Sequence, residues 1–344
     1  MASPQSPSSS PRHYSLFLAI FSLAVGGFCI GTTEFVAMGL IQEIAHNLKI
    51  TVPEAGHFIS AYALGVVIGA PIIAILGAKV PRKTLLLCLM LFYGIANACT
   101  ALAHTPETVL VSRFIAGLPH GAYFGVGALV AAELAGPSRR ASAVAQMMMG
   151  LTVATVIGVP LATWLGQHFG WRAGFEFSAT IAFFTLIAVA CFVPNIPVQA
   201  TASIKTELAG LKNINMWLTL AVGAIGFGGM FSVYSYVSPI LTEYTKVNIQ
   251  IVPIALALWG IGMVIGGALQ TRLMDVAGDA QTLAASLNHS AFNLANALGA
   301  FLGGWVLSHQ MGWIAPIWVG FVLSLGGLII LLIAFAVEKA TQKA

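Results

Sequence analysis

The sequence predicts an all-helical integral membrane protein, with about ten transmembrane helices arranged as two bundles. Of its 344 residues, 58% are hydrophobic and only 8% are charged, where a soluble domain carries roughly 25% charged residues. Several separate apolar runs are long enough to cross a ~30 Å hydrocarbon core as helices, whereas a barrel would show short alternating strands. A polar stretch near the middle of the chain divides these runs into two blocks.

The opening "MASPQSPSSSPRHY" is rich in Ser and Pro and cannot bury apolar surface, so residues 1–13 read as a disordered tail. The run that follows, Leu16 to Ile41, is too long for the apolar core of a signal peptide and reads as a retained first span. Five more spans complete a bundle over residues 14–193: Gly56 to Leu76, Leu85 to Ala103, Val109 to Ala132, Ala143 to Leu165 and Phe175 to Val193. Residues 194–215 form the central loop. Residues 216–337 hold four spans, Trp217 to Leu241, Ile251 to Leu269, Leu283 to Leu307 and Ile314 to Val337, and 338–344 form a short tail.

Charge sets the expected orientation. With the N-terminus inside, the inner segments hold eleven Lys and Arg residues, among them Lys79, Arg82 and Lys83, and the outer loops hold three: Lys49, Arg172 and Lys246. That bias satisfies the positive-inside rule and puts both termini in the cytoplasm. The net charge of +4 is therefore topology rather than a nucleic-acid patch. Cys29, Cys88, Cys99 and Cys191 lie in apolar runs without metal or redox spacing and read as small buried hydrophobes.

An internal repeat crosses the central loop. "ALGVVIGAP" (63–71) matches "GIGMVIGGA" (260–268) at an offset of 197, and "ATVIGVPLA" (154–162) matches "ANALGAFLG" (295–303) at an offset of 141. The difference of 56 residues is about two spans with their loops. The second block thus reads as a six-helix repeat lacking its third and fourth helices, with the junction near 266–270. An unfilled gap would open a cavity wall to lipid and strand polar side chains in hydrocarbon.

Glu34 and Arg113 fall well inside spans. Glu34, in "GTTEFVAMGLIQEIA" (31–45), lies about seven residues, or ~10 Å, from the outer end of the first span, and Arg113 lies about six residues, or ~9 Å, from that end of the fourth. A buried charge costs at least ~2.5 kcal/mol and is a functional hypothesis by default. Burial favours the neutral acid and a nearby guanidinium the charged one, so the proton affinity of Glu34 can respond to substrate and conformation. Glu34 is the expected proton carrier and Arg113 its modulator; the alternative is a static ion pair locking the two helices. His120 suits a proton relay or a neutral hydrogen-bonding role. Tyr62, Tyr123, Asn288, His289, Asn293 and Asn296 suit a substrate cavity or interhelical hydrogen bonds.

Together these stretches resemble the major facilitator superfamily, in particular drug and sugar efflux proton antiporters of the arabinose-efflux permease group. "GTTEFVAMGLIQEIA" is similar to the first-helix motif with its embedded acid. "SRFIAGLPHGAYFGVGA" (112–128) is similar to the fourth-helix RxxxG motif through Arg113 and Gly117, and "GVPLATWLG" (158–166) to a reduced fifth-helix antiporter motif. "GAKVPRK" (77–83) stands where the family has GxxxDRxGRR, without the gating aspartate. Gly158, Pro160 and Gly166 are then gating candidates. Lys79, Arg82 and Lys83 are either a latch or purely topological, the latter favoured without the aspartate.

The resemblance implies twelve helices, where this chain has ten, a bacterial inner-membrane location, and efflux of a small sugar or drug in exchange for protons. A proton-coupled importer and an internally deleted, non-transporting protein are the alternatives. No catalytic or nucleotide-binding motif is present, so no enzyme activity or cofactor is expected. The partners are protons, a small solute and the bilayer; oligomeric state is open.

Overall fold

The computed structural model describes residues 15–196, 213–263 and 281–341. The proposed junction near 266–270, the tail 1–13 and Lys205, Lys212, Arg272 and Lys343 lie outside the described residues. Among those described there is no strand, and nine helices are long and apolar enough to cross a membrane, with a shorter apolar helix at Ile249–Ile261.

The first half begins with α1 (Leu16–Gly39), a short α2 (Ile41–Leu48) and α3 (Val52–Leu76). α4 (Arg82–Leu102), α5 (Pro106–Gly117) and α6 (His120–Ala135) follow, then α7 (Arg140–Val153), α8 (Val159–Phe169) and α9 (Arg172–Phe192). The second half comprises α10 (Ile214–Ala221), α11 (Gly228–Tyr234), α12 (Val252–Met263), α13 (Gln281–Ser308) and α14 (Ala315–Thr341).

Helix starts follow local chemistry. Thr51 caps α3 in a reciprocal box with Glu54, and Thr105 caps α5 with Thr108, each followed by a proline in the first turn; such caps contribute about 1 kcal/mol. Proline also explains where expected single spans break. Pro119 cannot donate to the ladder, so the fourth span splits into α5 and α6. Ahead of Pro160 the backbone widens into a π turn, Ala154–Gly158, between α7 and α8. The seventh span, expected as one helix, carries a π turn at Val222–Gly226, ends α11 at Tyr234 and resumes as a turn at Val237–Pro239 and a π turn at Ile240–Tyr244.

The core is asymmetric. At the end carrying α2, one hydrophobic cluster joins both halves: Phe35, Met38, Trp171 and Phe175 pack with Phe231, Tyr236, Val252 and Leu256. Elsewhere the halves keep separate cores, one around Leu23, Tyr93 and Met147, the other around Met216, Leu220 and Leu287. At the joined end Gln42 donates to Thr242 Oγ1 (3.0 Å) and accepts from Ser238 Oγ (3.0 Å), and Gln167 donates to the Ile249 carbonyl (3.2 Å). The bundles share a hydrophobic core at this end, and further along α3 and α13 they touch through Ser290 Oγ donating to the Val67 carbonyl (3.3 Å) and through Phe124 stacked on His289 (4.5 Å). Across the boundary α13 packs along α3, and α12 packs on α8 and the π turn before it.

Cysteine placement differs from expectation: Cys29 is buried, but Cys88, Cys99 and Cys191 are exposed, on faces that helical periodicity turns outward to lipid. Glu43 on α2 was given no role by the sequence. Both its carboxylate oxygens are buried without a hydrogen-bond partner, and burial raises its pKa above the ordinary 4.5. A carboxyl that holds its proton more tightly when folded favours folding below its ordinary pKa, and loses that advantage as pH rises past it. Thermal melts of wild-type protein should therefore show a stability loss as pH climbs above about 4.5, and Glu43→Gln should remove that part of the slope.

Candidate functional site

Glu34 sits on the buried face of α1, 5% exposed. Its carboxylate lies near the Asn293 side chain of α13 and feels the charge of Arg113, while the Asn293 amide nitrogen donates to the His289 carbonyl at 3.1 Å. No direct ion pair joins Glu34 to Arg113, although Arg113 still ties the fourth span to the first through the Thr33 carbonyl. The acid instead reaches across to the second half.

Arg113 is fully buried and held largely by rings. Its guanidinium carbon lies 4.2 Å from the centroid of Tyr62 and 5.1 Å from that of Phe175, contacts worth about 2 kcal/mol when desolvated. Nη2 donates to the Thr33 carbonyl at 3.3 Å, while Nε and Nη1 have no partner. A buried donor left unpaired costs ~1–3 kcal/mol. The site thus holds an acid near Asn293 of the opposite half and beside a cation with spare donors.

Tyr62 links this pair to His120 through a wire of defined polarity. Tyr93 O–H donates to the Ile30 carbonyl (3.3 Å), which can only accept. Tyr93 must then accept from Tyr62 (3.1 Å), and Tyr62, its one proton used, must accept from His120 Nδ1–H (3.0 Å). Neutral His120 is therefore protonated on Nδ1, and its buried Nε2, without a partner, is a bare lone pair. Tyr62→Phe leaves the His120 donor unpaired and should destabilise the protein by ~1–3 kcal/mol. In a Tyr93→Phe background the same change should cost much less, a coupling measurable by a double-mutant cycle of unfolding.

α13 supplies the second half's lining. Asn288, His289, Asn293 and Asn296 are 4%, 6%, 1% and 0% exposed, so these four polar side chains are not left facing lipid. The amide of Asn296 and Oδ1 of Asn293 lack partners. Aromatic rings close the joined end of the site: Phe35 stacks on Phe231 (6.1 Å), and Tyr234 stacks on Trp259 (5.3 Å).

Other expected members lie elsewhere. Tyr123 is not part of this lining, because its hydroxyl donates to the Leu23 carbonyl at 3.0 Å within the first half. Gly158 packs against Thr32 and Phe28, and Gly166 against Leu40, so with Pro160 between them they seat the fifth span on α1. Arg82 pairs with Glu133 and Lys83 donates to the Ala190 carbonyl (2.7 Å). These two are engaged rather than purely topological, but they tie helices of one half together instead of latching the two; Lys79 is exposed. A hollow of about 500 Å³ lined by Arg82, Leu129, Glu133 and Arg140 contains none of the Glu34 cluster. Sequence reasoning missed Tyr93, Tyr234 and Trp259, which look like ordinary aromatics of apolar runs until packing places them.

Comparison with known proteins agrees with this architecture. The Major Facilitator Superfamily profile matches residues 23–285. The chain is similar to the inner membrane transport protein YdhP of Escherichia coli K12, at 35% identity over 378 residues covering 94% of this chain and 97% of that protein. It is similar to a chloramphenicol resistance protein of Streptomyces lividans, at 32% identity over 262 residues covering 75% of this chain and 67% of that one. Among solved structures, a bacterial homolog of the lysosomal transporter Spinster superposes with a TM-score of 0.64 at 13% identity, covering 95% of this chain and 96% of that one. The family profile, the relatives and the paired bundles around a buried polar site agree: the chain is a multi-pass membrane transporter of the major facilitator superfamily, and not an enzyme.

Proposed function

We propose that the chain exports a small sugar or drug-like molecule in exchange for protons, by rocking its two bundles about the Glu34 site. The closeness of Glu34 to Asn293 across the boundary carries this reading, because it makes the protonation state of one half an interaction of the other. When Glu34 takes a proton it loses its charge attraction to the Asn293 amide, which loosens the halves. When it releases the proton, Asn293 and Arg113 compete for the anion. The export direction rests on the fifth-span motif and on the resistance protein among the relatives. No ATP-binding motif is present, so the proton gradient is the proposed energy source.

The second half is proposed to be a four-helix remnant of a six-helix repeat. In the first half the boundary helices, α3 and α7–α8, are the second and fifth spans; their partners α12 and α13 are consecutive among the described spans of the second half, as loss of two intervening spans would leave them. The YdhP alignment supports the same size of loss. About 323 residues are 94% of this chain, so about 55 of the 378 aligned positions have no counterpart here, close to the 56 from the repeat. Burial of the α13 asparagines argues that the remnant still closes the site. With both termini in the cytoplasm, the joined end faces outward.

The test is counterflow of a sugar and drug panel in proteoliposomes under an imposed pH gradient. Accumulation inside inside-out vesicles with an acidic lumen supports proton-driven export. Accumulation in the opposite sense identifies an importer, and no flux from folded protein identifies a non-transporting remnant.

A further inference from the structure

His120 of α6 and His289 of α13 stand on opposite sides of the boundary between the halves, with ring centroids 5.5 Å apart and planes inclined at 55°. Both side chains are more than nine-tenths buried, and Nε2 of each has no hydrogen-bond partner. Neither ring is loose. His120 is fixed through Nδ1 by Tyr62 at 3.0 Å, and His289 lies flat against Phe124, 4.5 Å between centroids at 8°.

We propose that these two imidazoles form a binding site for a divalent transition-metal cation such as Zn²⁺, which fastens the two halves in the conformer described. Three observations support it. The polarity of the Tyr93–Tyr62–His120 wire leaves His120 Nε2 unprotonated, the form in which imidazole ligates a metal. A ligating histidine ordinarily gives its other ring N–H to a fixed acceptor, and Tyr62 is that acceptor. Two imidazoles bound at about 2.0–2.1 Å to one tetrahedral ion hold their centroids roughly 5–6 Å apart, and the observed spacing of 5.5 Å falls in that range. No cluster of three or more His, Cys, Asp or Glu side chains suited to a metal occurs among the described residues, so the remaining positions fall to water or to a neighbouring amide. That makes the site an acquired clamp rather than a structural centre.

The test uses purified full-length protein without a histidine tag, titrated with ZnCl₂ alone by calorimetry. One ion should bind per chain, and His120→Gln and His289→Gln should each weaken binding at least tenfold. His309→Gln, on an exposed helix end, should leave it unchanged. Unchanged affinity in both site variants overturns the proposal. If a Gln variant does not yield folded protein, X-ray absorption on Zn²⁺-loaded wild type decides: a first shell containing two imidazoles supports the clamp, and a shell without imidazole pairs overturns it.

Discussion

Glu34→Gln should abolish transport driven by a pH gradient, by a hundredfold or more, while leaving gradient-free exchange of substrate intact. The amide keeps the shape of the side chain and its capacity to accept hydrogen bonds, so binding and rocking persist. It cannot take up or release a proton, so nothing connects the substrate cycle to the gradient. A residue of purely structural importance would behave differently, reducing gradient-driven transport and plain exchange together. Arg113→Gln serves as the companion: removing a buried cation with two unpartnered donors alters the proton affinity of Glu34 and should shift the pH optimum of transport rather than abolish it.

Gly117→Val should prevent recovery of folded protein, and Gly117→Ala should lower stability by about 3 kcal/mol, the upper part of the usual range for overpacking. A side chain at Gly117 would collide with the Tyr62 carbonyl and the Gly65 backbone, and one at Gly65 would collide with the Phe114 carbonyl. Here α3 and α5 meet backbone to backbone, and no side chain can yield. This contact sets both Tyr62 and Arg113, so Gly117→Ala should also slow exchange. Size-exclusion chromatography and thermal melts in detergent check the first effect, and counterflow rates the second.

The glycine shows what was readable in advance. Arg113 and Gly117 stood out together as a spaced motif, and the structure supplies the physical reason for the second: close approach of two helices that present the first. The spans were legible because an apolar run of that length has few alternatives in a bilayer. Burial of Glu34 beside Arg113 was legible from matched depths along α1 and α5. Breaks at Pro119 and around Pro239 were not assigned, although proline signals them, because hydrophobicity alone continues through them. The identity of Glu34's partner was not legible, since it depends on how α13 is rotated against the first half, and spacing within α13 does not fix that. Glu43 went unread for a related reason: its burial comes from α2 folding back at the joined end.

The most direct measurement is proton release when substrate is added to purified, unbuffered protein, recorded with a pH indicator for wild type and Glu34→Gln. The account predicts release of about one proton per chain bound by substrate in wild type, the occupancy expected of a single carboxyl carrier, and none in the variant. Equal release from both would contradict it, by placing the exchanged proton on another group.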